Sequence, residues 1–169
     1  LAIAEHGSCA LVLPYDKAFD LVLEGLSPMG EDYVEMLRHA RNNGWIDVYP
    51  SQNKSSGAFS AGDLRKVHPY VLLNHNDNLD CAMTIAHELG HSMHSWYSNK
   101  SQPFAKADYS LFVAEVASTC NEAVMMRYLL RHLPEKKAQA YLLNHFLEQF
   151  RTTVFRQTMF AEFERISHD

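Results

Sequence analysis

The order of apolar and polar positions along the chain predicts a mostly helical protein with a short strand region near its middle. Apolar residues at helical spacing alternate with breaks such as Ser27-Pro28. The predicted helices cover residues 16–26, 30–42, 79–98, 108–132 and about 134–166. The predicted strands, bounded by Gly, Pro, Asn and Ser, cover residues 45–49, 58–60 and 70–74. The pattern therefore predicts a mainly α fold with a small β-sheet before the 79–98 helix.

Composition narrows the class of protein. The 169 residues, 47% of them hydrophobic, are enough for one domain with a buried core, so we expect a single domain over residues 1–169. The formal net charge of −5 argues against nucleic acid or an anionic membrane surface as a partner. No run approaches the roughly 18 apolar residues of a membrane span. Residues 1–13 lack the basic start of a secretory signal and contain Glu5 and His6.

The cysteines indicate a reducing compartment. Cys9, Cys81 and Cys120 are an odd number at spacings that match no disulfide framework. We expect reduced, mostly buried thiols of a cytoplasmic protein. Cys120 could bind metal, but a packing position is the favoured interpretation.

The main chemical signal is the run His87-Glu88-Leu89-Gly90-His91. On a helix, positions i and i+4 face the same way, so both imidazoles can reach one divalent metal with Glu88 beside them. This arrangement is typical of hydrolysis by a metal-activated water. The alternative is a pair of core histidines satisfied by their neighbours, which would leave Glu88 without a purpose.

A catalytic zinc needs a third protein ligand, and two candidates stand out. His94 shares the face of His87 and His91, but seven residues of helix separate it from His87 by roughly 10.5 Å. Zinc–nitrogen bonds are only about 2 Å long, so a rim or packing position suits His94 better. Glu115, on the next predicted helix, is the preferred third ligand.

The helix over 108–132 carries a dense apolar pattern, which indicates a largely buried helix. Glu115 and Glu122 lie on one face of it, at i and i+7. Buried carboxylates are costly unless a metal, a cation or hydrogen bonds compensate them. We therefore interpret Glu115 as a metal ligand and Glu122 as the acceptor for a ligand histidine N–H. The alternative is an exposed stripe that happens to carry acids.

The sequence is also compatible with two other classes of protein. Glu88 and His91 also satisfy the Glu-x-x-His unit of di-iron helical bundles, although no second unit exists because Glu35 and His39 are one residue too far apart. A non-catalytic helical interaction module that keeps the motif as scaffold is the other candidate.

Several runs of residues give the sequence a specific resemblance. They are KSSGAFS (54–60), HPYVLLNHN (68–76), AHELGHSMH (86–94), DYSLFVAEVASTCNEA (108–123) and VFRQTMFAEFE (154–164). From about Lys17 to nearly its end, the chain resembles the catalytic core of the oligoendopeptidase F group, within the thimet oligopeptidase family of zinc metallopeptidases. The resemblance implies a zincin-like fold, one Zn²⁺ per chain bound by His87, His91 and Glu115, and Glu88 as general base or acid. It also implies a metalloendopeptidase that cleaves short peptides.

The departures from the family pattern matter as well. Residues 1–14 fit it poorly, and such enzymes are several times longer, with a C-terminal segment whose His and Tyr groups steady the oxyanion. We therefore expect a partial catalytic core that binds metal with weak or no turnover, since one oxyanion donor is typically worth about 2.7–4 kcal/mol.

Two surfaces are predicted to make contacts. Peptidases of this kind align an extended peptide beside an exposed sheet edge, and we expect Ser56, Gly57, Ala58 and Phe59 to form that edge. The alternative is that this segment is an ordinary turn into a strand. The final helix is apolar around too much of its circumference for one-sided burial, which predicts an exposed patch and self-association. An alternative is that the chain wraps this helix in its own core. The apolar residues concerned are Tyr141, Leu142, Phe146, Phe150, Val154, Phe155, Phe160 and Phe163.

Overall fold

The computed structural model of the chain describes residues 12–62 and 67–169, and the elements follow the predicted order. The helices are α1 (Tyr15–Gly25), α2 (Glu31–Asn42), α3 (Leu79–Ser101), α4 (Leu111–His132), α5 (Lys136–Phe150) and α6 (Arg156–His168). Short 3₁₀ turns cover Ser27–Met29 and Phe104–Lys106. The strands are β1 (Ile46–Asp47), β2 (Phe59–Ala61) and β3 (Tyr70–Leu72). The mainly α fold with a small sheet before the motif helix is thus confirmed.

The described chain divides into two compact units, one up to Tyr128 and one from Leu129 onward. In the first unit, α1 packs along α3, and α3 also contacts β2 and β3. The largest buried side chains of this unit come from the helices and from residues that flank the helices and strands: Leu13, Phe19, Leu26, Leu37, Trp45, Leu73, Ile85, Leu89, Met93 and Met125. Burial of this apolar surface holds α3 in the middle of the unit.

The sheet places β3 in the centre. β1 pairs with β3 in parallel, with Ile46 opposite Val71. β2 pairs with β3 in antiparallel orientation, with Ser60 opposite Val71. The order β1-β3-β2 leaves β2 at an edge of the sheet.

The second unit is helical, and the predicted final helix is continuous from Lys136 to His168 with one π-helical turn inside it. A π-helical turn at Arg151–Phe155 joins α5 to α6. Leu142 is buried, whereas Phe155 and Phe163 are 71% and 68% exposed. The expected exposed apolar patch is therefore present, and self-association through it stays a prediction.

Two burial predictions were wrong. The start of α4 is not buried, because Leu111 and Phe112 are exposed and no described element covers them. The cysteines are not mostly buried either: both described thiols are free, Cys81 is half-buried and Cys120 is exposed. An exposed Cys120 has no packing position to fill. Cys9 and most of segment 1–14, which was expected to match the family poorly, lie outside the described residues. No helix among the described residues is long and apolar enough to cross a membrane.

Candidate metal centre

Helix α3 presents the motif residues toward α4. Its N-terminus is capped by Asn78, whose side-chain oxygen accepts a hydrogen bond from the Cys81 backbone N–H at 2.9 Å. From this start the helix runs unbroken through His87 and His91, so the two rings lie one turn apart on the same face. The i, i+4 spacing therefore places both imidazoles on one face of α3, as expected from the sequence.

Three donor atoms from two helices converge at one point. The Nε2 atoms of His87 and His91 are 3.1 Å apart. Glu115 Oε2, from α4, lies 3.5 Å from His87 Nε2 and 3.7 Å from His91 Nε2. Ligands about 2.1 Å from a tetrahedral ion are about 3.4 Å from one another. The triangle therefore has the dimensions that such an ion requires, and it is the one group of three candidate ligands found among the described residues.

Each imidazole has a hydrogen-bond partner on α4, which is the Glu122 carboxylate for His87 and the Ala114 backbone for His91. His87 Nδ1 donates to Glu122 Oε1, which directs the lone pair of Nε2 toward the triangle. Burial alone would lower the pKa of His87, but the hydrogen bond and charge of Glu122, with the charges of Glu88 and Glu115, raise it above its ordinary value. Burial lowers the pKa of His91, and the neighbouring His87 lowers it further.

Glu88 lies beside the triangle and is mostly buried, at 6% exposure. Its Oε2 has no hydrogen-bond partner among the described residues. Burial raises the pKa of Glu88 to about 7; His87 opposes this shift, while Glu115 and Glu122 add to it. A buried carboxylate with an unused oxygen is costly unless a proton, a water or a cation meets it. This orphaned oxygen is the second observation that fits a metal-dependent site.

The triangle opens into a cavity of about 970 Å³. Its lining includes Glu88 and Glu115 on one side and Phe59 and Ser60 of β2 on another. Side chains fasten β2 to α3 at two points. Ser60 Oγ lies 2.8 Å from Ser92 Oγ, and Asn99 Nδ2 donates to the Gly62 carbonyl at 2.8 Å. The strand and the motif helix therefore form two walls of one cleft.

The outward-facing backbone groups of β2 belong to Ser60. Val71 N–H bonds to the Trp45 carbonyl, so the backbone groups of Val71 face β1. Because facing alternates along a strand, the neighbours of Val71 bond instead to Phe59 and Ala61 of β2. Ser60, between them, then directs its N–H and C=O to the open edge of the sheet.

This register corrects the predicted edge segment of residues 56–59. Ala58 and Phe59 do line the large cavity, but Ser56 and Gly57 precede the strand and line a second cavity of about 540 Å³. Gly57 has a φ of 88°, and no atom of the described residues lies within 4 Å of the place where a Cβ would be. Glycine is therefore favoured at this position by the left-handed backbone conformation and not by close contact with another backbone. That these four residues bind substrate stays a prediction.

The remaining predicted residues have clear locations. His94 is outside the triangle, with its ring stacked on Tyr109 at a centroid distance of 3.8 Å, and burial lowers its pKa. The Glu122 side chain is 12% exposed, but that of Glu115 is 46% exposed. The expectation that both carboxylates lie on a buried helix face was therefore wrong for Glu115, which faces the open cavity.

Sequence reasoning missed three residues at the contact between α3 and α4. Gly90 lies where the helices come closest, and both Ser118 and Asn121 are fully buried against α3. No motif spacing identifies them. Small and polar residues within the apolar pattern of α4 were the one available signal.

Known proteins share much of this sequence. Oligopeptidase PepF of Bacillus subtilis is 50% identical over 154 residues, which are 91% of this chain and 23% of that protein. Group B oligopeptidase PepB of Streptococcus agalactiae is 43% identical over 91% of this chain and 26% of its own length. The chain thus spans about a quarter of the length of these relatives.

Solved structures share the fold. A protein from Chlamydophila abortus matches 94% of this chain at 42% identity with a TM-score of 0.83, using 27% of its own chain. The oligoendopeptidase-F of Enterococcus faecium matches 93% of this chain at 32% identity with a TM-score of 0.52, using 20% of its own chain. The fold is therefore that of a zincin-like metallopeptidase core.

A family model shows the family to which this chain belongs. The model of peptidase family M3 matches residues 10–169. The chain belongs to peptidase family M3, and the resemblance seen in the sequence is confirmed. This family implies a metal cofactor, and the cluster of His87, His91 and Glu115 fits one.

Proposed function

We propose that His87, His91 and Glu115 bind one zinc ion and that the centre hydrolyses peptide bonds within short peptides. The observation that carries this proposal is the triangle of donor atoms, 3.1, 3.5 and 3.7 Å on its sides, beside the unpartnered Glu88 oxygen. Two imidazoles and one carboxylate with an open position are a ligand set of catalytic zinc. Harder cations such as Mg²⁺ prefer oxygen ligands and suit this set less well.

The proposed chemistry assigns the proton movements to Glu88. Zinc, when bound, polarises a peptide carbonyl and makes an adjacent water molecule more acidic. Glu88 Oε2 accepts the proton of the attacking water, for which it has an unused acceptor position. As the C–N bond breaks, Glu88 returns the proton to the departing amide nitrogen. Glu122 keeps the His87 ring oriented throughout, through its bond to Nδ1.

The proposed substrates are extended peptides that lie along β2. Main-chain hydrogen bonds at a sheet edge bind peptides of many sequences, and Ser60 N–H and C=O face that edge in the cavity that contains Glu88. The names of the relatives, oligopeptidase and oligoendopeptidase, support short peptides and internal bonds. Self-association of the chain is a separate proposal that rests on the exposed aromatic residues of α6.

The alternative of a di-iron bundle gains no support from the fold. A second metal would need another set of carboxylate and imidazole ligands, and the described residues contain one cluster of three. Glu35 forms instead an exposed ion pair with Arg38 at 3.4 Å. The non-catalytic interaction module is distinguished from the peptidase by metal content and by the variants below.

The test of this proposal is zinc binding by the wild type beside two variants. Zinc content by mass spectrometry and affinity by competition with a chelating dye are measured for wild type, Glu115→Gln and Glu88→Gln. We expect one zinc per chain in wild type and Glu88→Gln, and loss of zinc in Glu115→Gln, because an amide is a much poorer ligand than a carboxylate. Equal zinc in all three proteins would remove Glu115 from the ligand set.

Peptide cleavage is the second measurement. Glu88→Gln is expected to reduce the rate of cleavage of a blocked peptide by about 10²- to 10⁴-fold while zinc stays bound. Cleavage at the wild-type rate by zinc-loaded Glu88→Gln would contradict the assignment of the proton transfers. Because the chain spans 23% of the Bacillus protein, zinc affinity is the primary measurement.

A further inference from the structure

We propose that Ser118 is a positioning residue of the metal centre, which holds the Glu115 carboxylate so that Oε2 faces the two histidines. The inference rests on the proposed zinc ligands and goes beyond them to a residue that does not touch the metal. Ser118 is fully buried on α4, one turn after Glu115 and against α3. Its hydroxyl lies 2.8 Å from Glu115 Oε2, the same oxygen that belongs to the triangle.

The hydroxyl has one proton and two acceptors within reach. The Glu115 main-chain carbonyl lies 3.1 Å from Ser118 Oγ, farther than Oε2 at 2.8 Å. That carbonyl also accepts a bond from Thr119 Oγ1 at 2.6 Å. Hydrogen bonds to a carboxylate are roughly twice as strong as those between neutral groups. Ser118 therefore donates to Oε2, which keeps its other lone pair for the side of the histidines.

Glu115 needs such a partner more than the other groups of the site do. Its side chain is 46% exposed, against 12% for Glu122. Ordering a glutamate side chain costs up to about 1.5–2 kcal/mol of rotamer entropy. A half-exposed carboxylate would spend part of its time in solvent unless a second bond restrained it. Ser118 provides that bond from a rigid, buried position.

The backbone of Ser118 is itself fixed against α3 by Gly90. A Cβ added at Gly90 would lie 2.8 Å from Ser118 Cα and 2.9 Å from the Ala117 carbonyl oxygen. Only glycine therefore allows α4 to approach α3 this closely between the two histidines.

A buried amide fixes the register of the same contact. Asn121 Nδ2 donates to the Ala86 carbonyl at 2.9 Å, and Asn121 Oδ1 accepts from the Tyr33 hydroxyl at 3.0 Å. Ala86 precedes the ligand His87, and Asn121 precedes Glu122. These bonds restrain α4 from sliding along α3 within one residue of the site. Ser118 and Glu115 therefore keep their positions along the helix axis relative to the two histidines.

The test compares Ser118→Ala with the matched control Ser92→Ala. Both serines are fully buried on the site helices, and both hydroxyls contact the main-chain carbonyl of a glutamate three or four residues earlier. Only Ser118 adds a bond to a carboxylate of the triangle. Both variants are expected to fold, because alanine is a strong helix former. Melting of the metal-free proteins checks this.

The measurements are zinc affinity and the visible spectrum of the cobalt-substituted protein. We expect Ser118→Ala to raise the zinc Kd by about 10- to 100-fold and to change the Co²⁺ absorption bands, with Ser92→Ala like wild type in both. Equal affinities and spectra for the two variants would overturn the positioning assignment while leaving the zinc site intact. Failure of the wild type to bind zinc would instead overturn the proposed function, and this inference with it.

Discussion

His87 and Glu122 are direct hydrogen-bond partners across the contact between α3 and α4. Nδ1 of the imidazole donates to Oε1 of the carboxylate, and the ring is thereby fixed in the tautomer whose Nε2 carries a lone pair. Glu122 is the less exposed of the two α4 carboxylates, so its attraction to the ring is less screened by water than that of Glu115. The pair links α3 to α4 electrostatically as well as by packing.

Removal of the Glu122 charge is expected to weaken metal binding but not to abolish it. In Glu122→Gln the acceptor becomes a neutral amide oxygen, so the His87 ring is less firmly oriented and less basic. We expect the zinc Kd to rise by about 10- to 100-fold, measured by chelator competition. The control is Glu35→Gln, a change of the same charge at an exposed ion pair on α2. An unchanged Kd in Glu122→Gln would show that the bond is not part of the metal site.

The open edge of β2 gives a prediction about peptide binding that can be separated from catalysis. In a Glu88→Gln background, a blocked short peptide binds without being cleaved. Ser60→Pro removes the outward N–H, which an edge strand tolerates because that group is not used within the sheet. Loss of one such hydrogen bond is expected to raise the peptide Kd by about 2- to 12-fold.

The control for this change is Ser60→Ala, which removes the hydroxyl that contacts Ser92 but keeps the N–H. We expect its peptide Kd to stay close to that of the background protein, and the zinc affinity of both variants to stay the same. If Ser60→Ala weakens the peptide as much as Ser60→Pro does, the side-chain contact and not the main-chain N–H is responsible.

The exposed aromatic residues of the Arg151–Phe155 turn and of α6 predict association in solution. Phe155 and Phe163 are 71% and 68% exposed, and burial of such side chains between chains would be favourable. Sedimentation is expected to show concentration-dependent oligomers that decrease in the double variant Phe155→Lys, Phe163→Lys. Phe104→Lys, at a residue that is 75% exposed in the first unit, is the control. A monomer at all concentrations would contradict the prediction.

The parts of the site that follow from helical periodicity were predictable from sequence. His87, Glu88 and His91 needed only the i, i+4 rule, and the lengths of α3 and α4 followed from apolar spacing. Glu115 does lie beside His87 and His91, although one premise was wrong, since the start of α4 is exposed; its assignment as a metal ligand stays a prediction.

Contacts between helices could not be predicted in the same way. The function of Gly90 depends on which residues of α4 lie opposite it, and that pairing is a property of the tertiary fold. Ser118 and Asn121 look like ordinary helix residues until their partners are known. The register of β2 could not be predicted for a similar reason. A shift of one residue along the strand exchanges the inward-facing and outward-facing groups, and the local sequence does not show whether Phe59 or Ser60 faces outward.

The two ties from β2 to α3 have a mechanical consequence. Because Ser60 contacts Ser92 and Asn99 donates to the Gly62 carbonyl, the strand is restrained against the helix at two points. A peptide bound along the strand would therefore lie at a fixed distance from the Glu88 carboxylate, whatever its side chains. The position of the ligand would then depend on β2 and α3 and not on recognition of a particular side chain. A site built in this way can accept peptides of many sequences.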